Sequence, residues 1–169
     1  MWLYHVNEND EVIGKVNEEE AHKRHLLHKS VHILLTNSKG EIFCRQRSLK
    51  KKRYPGYWST SVGAHVMYGE TYEDAIYRAL KETLGIDCKL KMIGKDRIED
   101  DVENEISALF VGHYDGKLKF NFQQIEGGKF FSVEELGKLI KKEKVTPHLV
   151  QALRRYLSYL NSNPIFLKF

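Results

Sequence analysis

Three charged side chains recur at regular spacing behind a glycine-containing loop. Glu70 is followed by Arg78 and then by Glu82, at intervals of eight and four residues, and Gly63 and Gly69 precede them. Side chains four residues apart project from the same face of an α-helix. Carboxylate oxygens suit a hard cation such as Mg²⁺ or Mn²⁺ that bridges phosphate oxygens. The pattern therefore indicates metal-assisted chemistry on a phosphorylated ligand.

Histidines form a second group of candidate metal ligands. His22, His25, His28 and His32 recur through a polar stretch and the apolar run that follows it, and His65 lies next to the glycine loop. Imidazole and carboxylate together suit a transition metal better than Mg²⁺, so Mn²⁺ or Zn²⁺ is also a candidate. Histidines on a polar segment are more often surface residues, which is the alternative interpretation of the first three.

Basic residues are concentrated in two places, and phosphate is their natural partner. The cluster at 138–144 is typical of a solvated lysine-rich face. The cluster at 45–53 flanks the loop that carries the candidate site, so we expect it to contact the ligand. Its members are Arg45, Arg47, Lys50, Lys51, Lys52 and Arg53.

The first third of the chain reads as strands and turns. Residues 3–16 predict two short strands, and residues 17–29 form a polar stretch. Residues 31–36 are a compact apolar run, and residues 41–47 alternate well enough to pair with it as a hairpin across a turn at 37–40.

One helix has clear start and stop signals. Thr71 predicts the N-cap, Asp74 completes a capping box, and Gly85 predicts the C-cap. Further strands are expected at 89–93, 106–113 and 117–122, and further helices at 133–140 and 147–160. Strands mixed with helices, with hairpins present, predict an α/β/α sandwich around a central mixed β-sheet.

Length and composition limit the class of protein to which the chain can belong. A chain of 169 residues with 41% hydrophobic and 30% charged residues predicts one folded domain over 1–169. Within it, residues 1–30 carry the first strands and the histidine-rich segment, and residues 161–169 form a tail that is either frayed or docked on the body or a partner subunit. A homodimer is therefore possible.

Several function classes receive no support from the sequence. No apolar run approaches the roughly 20 residues that span a bilayer. The net charge of +4 is small, and no nucleic-acid-binding module is recognisable, so a nucleic-acid partner is not expected. Cys44 and Cys88 lack metal-ligand spacing and read as core thiols, which favours a cytoplasmic location.

The stretch from Gly63 to Ile86 resembles the Nudix box in order, spacing and helical context. By this resemblance, Glu70 is the glutamate at the end of the loop, Arg78 is the helix arginine, and Glu82 is the first of two paired metal-binding glutamates. The box is degenerate, because Ala79 and Thr83 replace two of the three helical carboxylates. Losing two anionic ligands weakens a helix metal site, so other ligands must substitute or catalysis is lost.

The wider chain looks like the isopentenyl diphosphate isomerase branch of the Nudix superfamily and its hydrolase cousins. The resemblance runs over residues 6–140 and is most specific in Pro55-Gly56-Tyr57-Trp58 and in Glu103-Asn104-Glu105. It implies a metal site of three histidines and two glutamates outside the Nudix box. The candidates are His22, His28, His65, Glu103 and Glu105, and His25 competes for one position.

The same resemblance decides between reactions. The isomerase uses a cysteine where this chain has Gly63 and a tryptophan where it has His148, and glycine cannot supply an acid. Hydrolysis of a diphosphate linkage in a nucleotide-type or related small metabolite needs less, namely a metal, a base and cations for phosphate. Glu70, Glu82 and Glu105 are the candidate catalytic carboxylates, and Arg47, Lys51 and Lys52 are the candidate phosphate ligands. The alternative is a weak or inactive Nudix domain that binds a phosphorylated ligand.

Overall fold

The computed structural model describes residues 1–162, so most of the tail expected at 161–169 lies outside the described residues. Nine strands and four helices occur within residues 1–162. The strands are β1 Trp2–Val6, β2 Val12–Asn17, β3 His28–Thr36, β4 Ile42–Arg47, β5 Trp58–Ser59, β6 Val62–His65, β7 Leu90–Glu99, β8 Asn104–His113 and β9 Ile125–Phe131. The helices are α1 Glu18–Lys23, α2 Tyr72–Leu84, α3 Val133–Lys142 and α4 Pro147–Ser162.

Strand β3 is the centre of the sheet. Strand β8 runs parallel to it over the whole length of β3 and pairs with β7 on its far side. On its other side β3 meets β1, β6 and β4 in turn, each antiparallel to it. Parallel and antiparallel pairs in one sheet confirm the predicted central mixed β-sheet.

The two faces of β3 explain the helix layers, because successive side chains of a strand point to opposite faces. Val31, Ile33 and Leu35 pack in one buried cluster with the apolar face of α2. Leu34 packs on the opposite face with residues of α3 and α4. The α/β/α arrangement is therefore as predicted, and His28, Ser30 and His32 fall on the same face as Leu34.

Helix α2 begins and ends where its capping residues predict. The Thr71 hydroxyl accepts a hydrogen bond from the Asp74 amide, and the Asp74 carboxylate accepts one from the Thr71 amide, both at 3.0 Å. Gly85 adopts a φ of 66° and donates to the Lys81 carbonyl, a left-handed conformation that glycine adopts without strain.

The strand predicted at 117–122 is wrong. The final strand is β9, which pairs antiparallel with β4. The amides of Lys119 and Asn121 instead donate to the carbonyls of Leu84 and Thr83, at 2.9 and 3.0 Å. These are the carbonyls that a helix leaves unsatisfied at its C-terminus, so this segment caps α2 rather than extending the sheet.

Other elements also differ from the sequence expectation. Strand β7 extends to Glu99 instead of ending at residue 93, and β5, β6 and β9 were not predicted. The polar stretch 17–29 contains helix α1, whose N-cap is Asn17. The hairpin of β3 and β4 pairs only next to its turn, at Leu35 with Phe43 and Thr36 with Ile42, because β6 occupies residues 30–33 of the same edge. Within residues 1–162, no helix is both long and apolar enough to cross a membrane.

Candidate metal and phosphate site

Four side chains converge at one end of β3. One ligand atom from each of His22, His28, His65 and Glu103 lies within 4.8 Å of the corresponding atoms of the other three. Glu105 adjoins this group, since its Oε2 is 3.5 Å from the His28 Nε2 and 3.6 Å from the His65 Nε2. The five ligands implied by the isomerase resemblance therefore lie together.

The sheet register brings these residues together from distant parts of the chain. His28 is opposite Glu105 in the parallel pair of β3 and β8, and Ser30 is opposite His65 in the antiparallel pair of β3 and β6. Residues opposite each other in neighbouring strands point to the same face. Helix α1 then adds His22, whose Nε2 lies 3.1 Å from the Glu103 Oε2.

Hydrogen bonds fix the orientation of the three imidazole rings. The Nδ1 of His22 is 2.8 Å from the Glu18 carbonyl, and the Nδ1 of His28 is 2.8 Å from the Leu26 carbonyl. The Nδ1 of His65 is 3.3 Å from the Glu18 Oε1. Because a carbonyl oxygen only accepts, Nδ1 of His22 and His28 must donate, and the Nε2 of a neutral ring then carries a lone pair.

That arrangement fits a cation. The His28 Nε2 is buried without a hydrogen-bond partner, and it faces the Glu103 and Glu105 carboxylates at 3.7 and 3.5 Å. Burial opposes protonation of this ring, but the two carboxylates outweigh burial and raise the pKa of His28. A nitrogen lone pair and a carboxylate oxygen repel each other unless a positive charge lies between them. Imidazole and carboxylate together are a donor set for Mn²⁺ or Zn²⁺.

Glu105 is held in its ionised form. It is almost fully buried, and its Oε1 is 2.5 Å from the His148 Nε2. Burial alone would raise the pKa of Glu105, but the imidazoles of His148 and His28 outweigh burial and hold it well below the usual range. The His148 ring also stacks on the buried ring of His32 at 4.5 Å.

Cationic side chains, which we call the cationic wall, also line the site. Arg45 Nη1 donates to the Thr60 carbonyl at 2.6 Å, and Lys51 Nζ donates to the Gln124 Oε1 at 2.8 Å. Arg47 Nε donates to a backbone carbonyl at 3.1 Å. All three partners are neutral, and none of the three cations has a carboxylate within ion-pair distance among residues 1–162.

These cations destabilise one another. Burial and then Arg47 lower the pKa of Arg45 to about 9. Burial, followed by Arg47 and Arg45, lowers the pKa of Lys51. Burial also lowers the pKa of Arg47, although the nearby carboxylate of Glu103 opposes this. Desolvated positive charges that lack an ion-pair partner carry a free-energy cost that an anionic ligand reduces. Arg53 differs, because it pairs with Glu18 at 2.7 Å and with Glu103 at 3.2 Å.

A single cleft of about 350 Å³ is lined by members of both groups. Helix α2 contributes a further wall, in which Glu82 is the only carboxylate and Ala79 and Thr83 present no ionisable group. The charged and polar residues that line the cleft include Glu18, Arg45, Arg47, Lys51, Arg53, His65, Glu82, Glu103, Glu105, Gln124 and His148.

Position 63 at the floor of the cleft has no room for a side chain. A Cβ atom on Gly63 would lie 2.6 Å from the His32 Cε1 and 2.9 Å from the Arg45 Nη2. His32 is itself fixed, since its Nδ1 lies 2.6 Å from the Thr60 hydroxyl. A cysteine at this position would displace His32 and Arg45.

Glu70 and Arg78 hold the loop that precedes α2. Arg78 donates to both carboxylate oxygens of Glu70, at 2.7 and 2.9 Å, and to the His65 carbonyl at 3.1 Å. The Met67 amide donates to the same carboxylate at 2.8 Å. Glu70 does not line the cleft, so the structure places it beside the site and ties it to the backbone next to His65.

The structure separates two further candidates from the cleft. Lys52 is largely exposed and lies 3.9 Å from the surface carboxylate of Glu19. His25 faces Glu99 at 3.4 Å, outside the cluster that His22 and His28 enter. Lys51 and Arg47, by contrast, both line the cleft.

Sequence reasoning missed the role of Glu18 and underweighted Arg45. Glu18 contacts two histidines, through its carbonyl to His22 and its carboxylate to His65, and His65 and Arg53 lower its pKa to about 2. Arg45 could have been found from its position two residues before Arg47 on β4, because the period of a strand puts both on one face. No sequence signal marked Glu18.

Comparison with known proteins agrees with the fold and the box. The NUDIX domain family model matches residues 26–155. An uncharacterized Nudix hydrolase of Pseudomonas aeruginosa is 33% identical over 153 residues, which is 90% of each protein. The chain belongs to the Nudix family.

Isomerases and a solved structure are also among the similar proteins. The isopentenyl-diphosphate Delta-isomerase of Burkholderia multivorans is 30% identical over 136 residues, 78% of this chain and 77% of that protein. The crystal structure of DR0079 from Deinococcus radiodurans superposes with a TM-score of 0.78 at 25% identity, covering 92% of this chain and 98% of that one.

Proposed function

We propose that the protein is a divalent-metal-dependent hydrolase that cleaves a diphosphate linkage in a nucleotide-type or related small metabolite. The observation that carries this proposal is the presence of opposite charges in one cleft. The cleft is lined by His65, Glu103 and Glu105, which adjoin His22 and His28. It is also lined by Arg45, Arg47 and Lys51, which form no ion pair among residues 1–162. A diphosphate and a metal ion together would neutralise both groups.

The metal ligands in this proposal are His22, His28, His65, Glu103 and Glu105. Their fit rests on the unpartnered His28 Nε2 and on the three Nδ1 atoms held by oxygen acceptors. The proposed ion is Mg²⁺ or Mn²⁺, with Zn²⁺ as a further candidate, because carboxylates suit the first two and imidazoles suit a transition metal. When bound, the ion would polarise a phosphoryl oxygen and acidify water.

The chain's own cations would orient the diphosphate. Arg45 and Arg47 are held by backbone carbonyls at 2.6 and 3.1 Å, so their positions are set before the ligand arrives. Charge-assisted hydrogen bonds to phosphate are about twice as strong as neutral ones. Lys51, anchored by Gln124, also lines the cleft and would add a third contact.

We propose that Glu82 is the general base, which accepts a proton from the attacking water. Glu82 lines the cleft and its side chain is half exposed, and its one ion pair among residues 1–162 is with Arg78 at 3.5 Å. Glu105 is less suited to accept this proton, because His148, His28 and His65 surround its two oxygens. Glu70 is occupied by Arg78, and we assign it the positioning of the loop that carries His65.

Isomerisation of a prenyl diphosphate is disfavoured even though isomerases are among the relatives. Gly63 offers no acid, and a side chain there would overlap His32 and Arg45. His148 is engaged with Glu105 at 2.5 Å, which does not resemble an aromatic face free to shield a carbocation.

The second candidate is a domain that binds a phosphorylated ligand without cleaving it. The observation that favours it is the absence of ionisable side chains at Ala79 and Thr83, both of which line the cleft. Without these carboxylates, α2 offers Glu82 alone, and catalysis depends on the histidine and glutamate cluster.

Turnover of a defined substrate panel tests the proposal. Nucleoside diphosphates, nucleoside diphosphate sugars, dinucleotides and prenyl diphosphates would be incubated with Mn²⁺ or Mg²⁺, and released phosphate or monophosphate measured. We expect at least one substrate to be cleaved, and we expect the Glu103→Gln variant to lose this activity while the matched surface variant Glu99→Gln keeps it. Binding of panel members by folded protein without any turnover would overturn the hydrolase proposal in favour of the binding domain.

A further inference from the structure

One buried hydroxyl group beside the cleft has no hydrogen-bond partner. Ser30 is 1% exposed and lines the cleft, yet its Oγ forms no hydrogen bond among residues 1–162. Only two other buried side-chain atoms of these residues lack a partner, the His28 Nε2 and the Asp10 Oδ1. A buried hydroxyl without a hydrogen bond carries the cost of its desolvation, so such a group is rare and calls for an explanation.

The register of the sheet places Ser30 between the metal ligands and the cationic wall. His28 lies two residues earlier on the same face of β3, because side chains alternate along a strand. His65 is opposite Ser30 in the pair of β3 and β6. Two residues before His65 on β6 is Gly63, where a Cβ atom would lie 2.9 Å from the Arg45 Nη2. Along the sheet, Ser30 therefore lies between His28 and the guanidinium group of Arg45.

An oxyanion is the ligand that fits this position. In the proposed function a diphosphate contacts both the metal ion and Arg45, so its path crosses the level of Ser30. The oxygens of an ionised diphosphate accept hydrogen bonds, and a serine hydroxyl has a proton to donate. A hydrogen bond between them would satisfy the hydroxyl and help to orient the diphosphate.

We propose that Ser30 is a substrate-binding residue, whose hydroxyl donates a hydrogen bond to a phosphoryl oxygen of the diphosphate between the metal ion and Arg45. This inference rests on the proposed function and adds a neutral donor to the charged donors Arg47 and Lys51. Because the hydroxyl carries no charge, it does not repel the ion. A ligand that placed an apolar group here would leave the hydroxyl unpaired, which disfavours that ligand.

Ser107 provides a matched control for Ser30. It is opposite Ser30 in the parallel pair of β3 and β8, and it is also buried, at 5% exposure. It lines a separate small cavity with His32 and His148 and does not line the cleft. Substitution by alanine removes one oxygen atom from a buried strand position in either case. The two variants therefore differ in whether the lost hydroxyl borders the cleft.

The test measures the binding of a diphosphate and of the metal separately. Methylenediphosphonate, which resists hydrolysis, would be titrated calorimetrically into the full-length wild-type, Ser30→Ala and Ser107→Ala proteins in the presence of Mn²⁺. We expect Ser30→Ala to raise the Kd for the diphosphonate about 10-fold, as for the loss of one hydrogen bond to a charged group. Ser107→Ala should leave this Kd unchanged.

Two further measurements separate substrate binding from a structural role. The affinity for Mn²⁺ alone, followed by electron paramagnetic resonance, should be the same in both variants and the wild type. In urea unfolding, Ser30→Ala should be at least as stable as the wild type, because it removes a hydroxyl that has no partner in the fold.

Four results would overturn the inference. These are an unchanged Kd for the diphosphonate in Ser30→Ala, an equal rise in Ser107→Ala, a marked loss of stability in Ser30→Ala, or a lower affinity of Ser30→Ala for Mn²⁺, which would make Ser30 a metal ligand. If the wild type binds no diphosphonate, the inference and the placement of the diphosphate fail together. If it binds the diphosphonate but cleaves no substrate of the panel, the hydrolase proposal fails alone, and the comparison of the two serine variants still decides the role of Ser30.

Discussion

The cleft is bordered by two regions that carry carboxylates. The regions differ in how deeply the carboxylates are buried and in how many partners hold them in place. On the sheet, Glu103 and Glu105 are almost fully buried and face three imidazoles whose Nδ1 atoms are held by oxygens. On helix α2, Glu82 is half exposed, and the neighbouring positions are alanine and threonine. Helix α2 therefore retains the position and the capping residues of the Nudix helix, whereas most of the candidate metal ligands lie on or next to the sheet.

This difference has a physical basis. Buried carboxylates are costly unless a positive charge accompanies them. In the sheet cluster, which comprises His22, His28, His65, Glu103 and Glu105, Arg53 pairs with Glu103 and His148 bonds to Glu105. The metal ion that we propose would add a positive charge where the imidazoles face the two carboxylates.

Positions 79 and 83 of α2 are buried, with Ala79 2% and Thr83 7% exposed. Without a bound cation, an ionised carboxylate at either position would be costly, and alanine and threonine avoid that cost. Arg78 and Glu70 retain a different task, since together they hold the backbone beside His65. The loop before α2 therefore helps to position His65, one of the candidate metal ligands.

The largest effect should follow a change in the sheet cluster. Glu105→Gln removes the charge that faces His28, His65 and His148. We expect kcat/KM to fall at least about 1,000-fold, because the loss of the ion removes several kcal/mol of transition-state stabilisation. Steady-state kinetics with added Mn²⁺ check this, and full activity in a folded Glu105→Gln protein would contradict the assignment.

Helix α2 should contribute to catalysis through one carboxylate, that of Glu82. Glu82→Gln removes the proposed proton acceptor, so kcat should fall about 100-fold, as expected for the loss of general-base catalysis. The bound metal should remain. If Glu82→Gln lost metal and activity together, the helix would be a metal site and the contrast with the sheet would disappear.

The cationic wall should show a smaller effect, confined to residues inside the cleft. Arg47→Ala should raise KM about 10-fold or more, since one hydrogen bond to a charged group contributes about 1.5–3 kcal/mol. The neighbouring lysines supply a matched pair. Lys51→Ala should also raise KM, whereas Lys52→Ala should not, because Lys52 lies on the surface near Glu19. Equal effects of both lysine variants would argue for a general charge effect instead.

The smallest effect should be on stability and should depend on pH. Burial opposes ionisation of Glu70, but the hydrogen bonds from Arg78 and the Met67 amide outweigh it and lower the pKa of Glu70 below its ordinary 4.5. A lowered folded-state pKa stabilises the fold above pH 4.5 and loses that contribution as the pH falls through the folded-state value.

Arg78→Met should therefore lower the free energy of unfolding by about 1–2 kcal/mol at neutral pH. The difference from the wild-type protein should shrink in acid. Urea unfolding at a series of pH values measures this. A difference that grows as the pH falls would contradict the stated role of the pair.

Local features of the fold were predictable, and the non-local ones were predictable only through resemblance. Thr71, Asp74 and Gly85 determine the ends of α2 through contacts within a few residues. The alternating apolar residues Leu118 and Phe120 imitate a strand, but the amides of this segment cap α2 instead. Sequence periodicity does not reveal which carbonyls a distant amide will meet.

The same limit applied to the site. Nothing in the spacing of His28 and Glu105 shows that they are opposite each other, because this depends on the parallel register of β3 and β8. The resemblance to the isomerase branch supplied the five ligands. It did not supply Glu18, whose contacts to His22 and His65 arise only when α1 docks on the sheet.

Metal content tests the central claim most directly. Purified wild-type protein, Glu103→Gln and Glu82→Gln would be incubated with Mn²⁺, dialysed and examined by elemental analysis, with circular dichroism to confirm folding. The sheet cluster predicts about one bound ion per chain in the wild type and in Glu82→Gln, and little or none in Glu103→Gln. Retention of the ion by Glu103→Gln, or its loss from Glu82→Gln, would contradict the account.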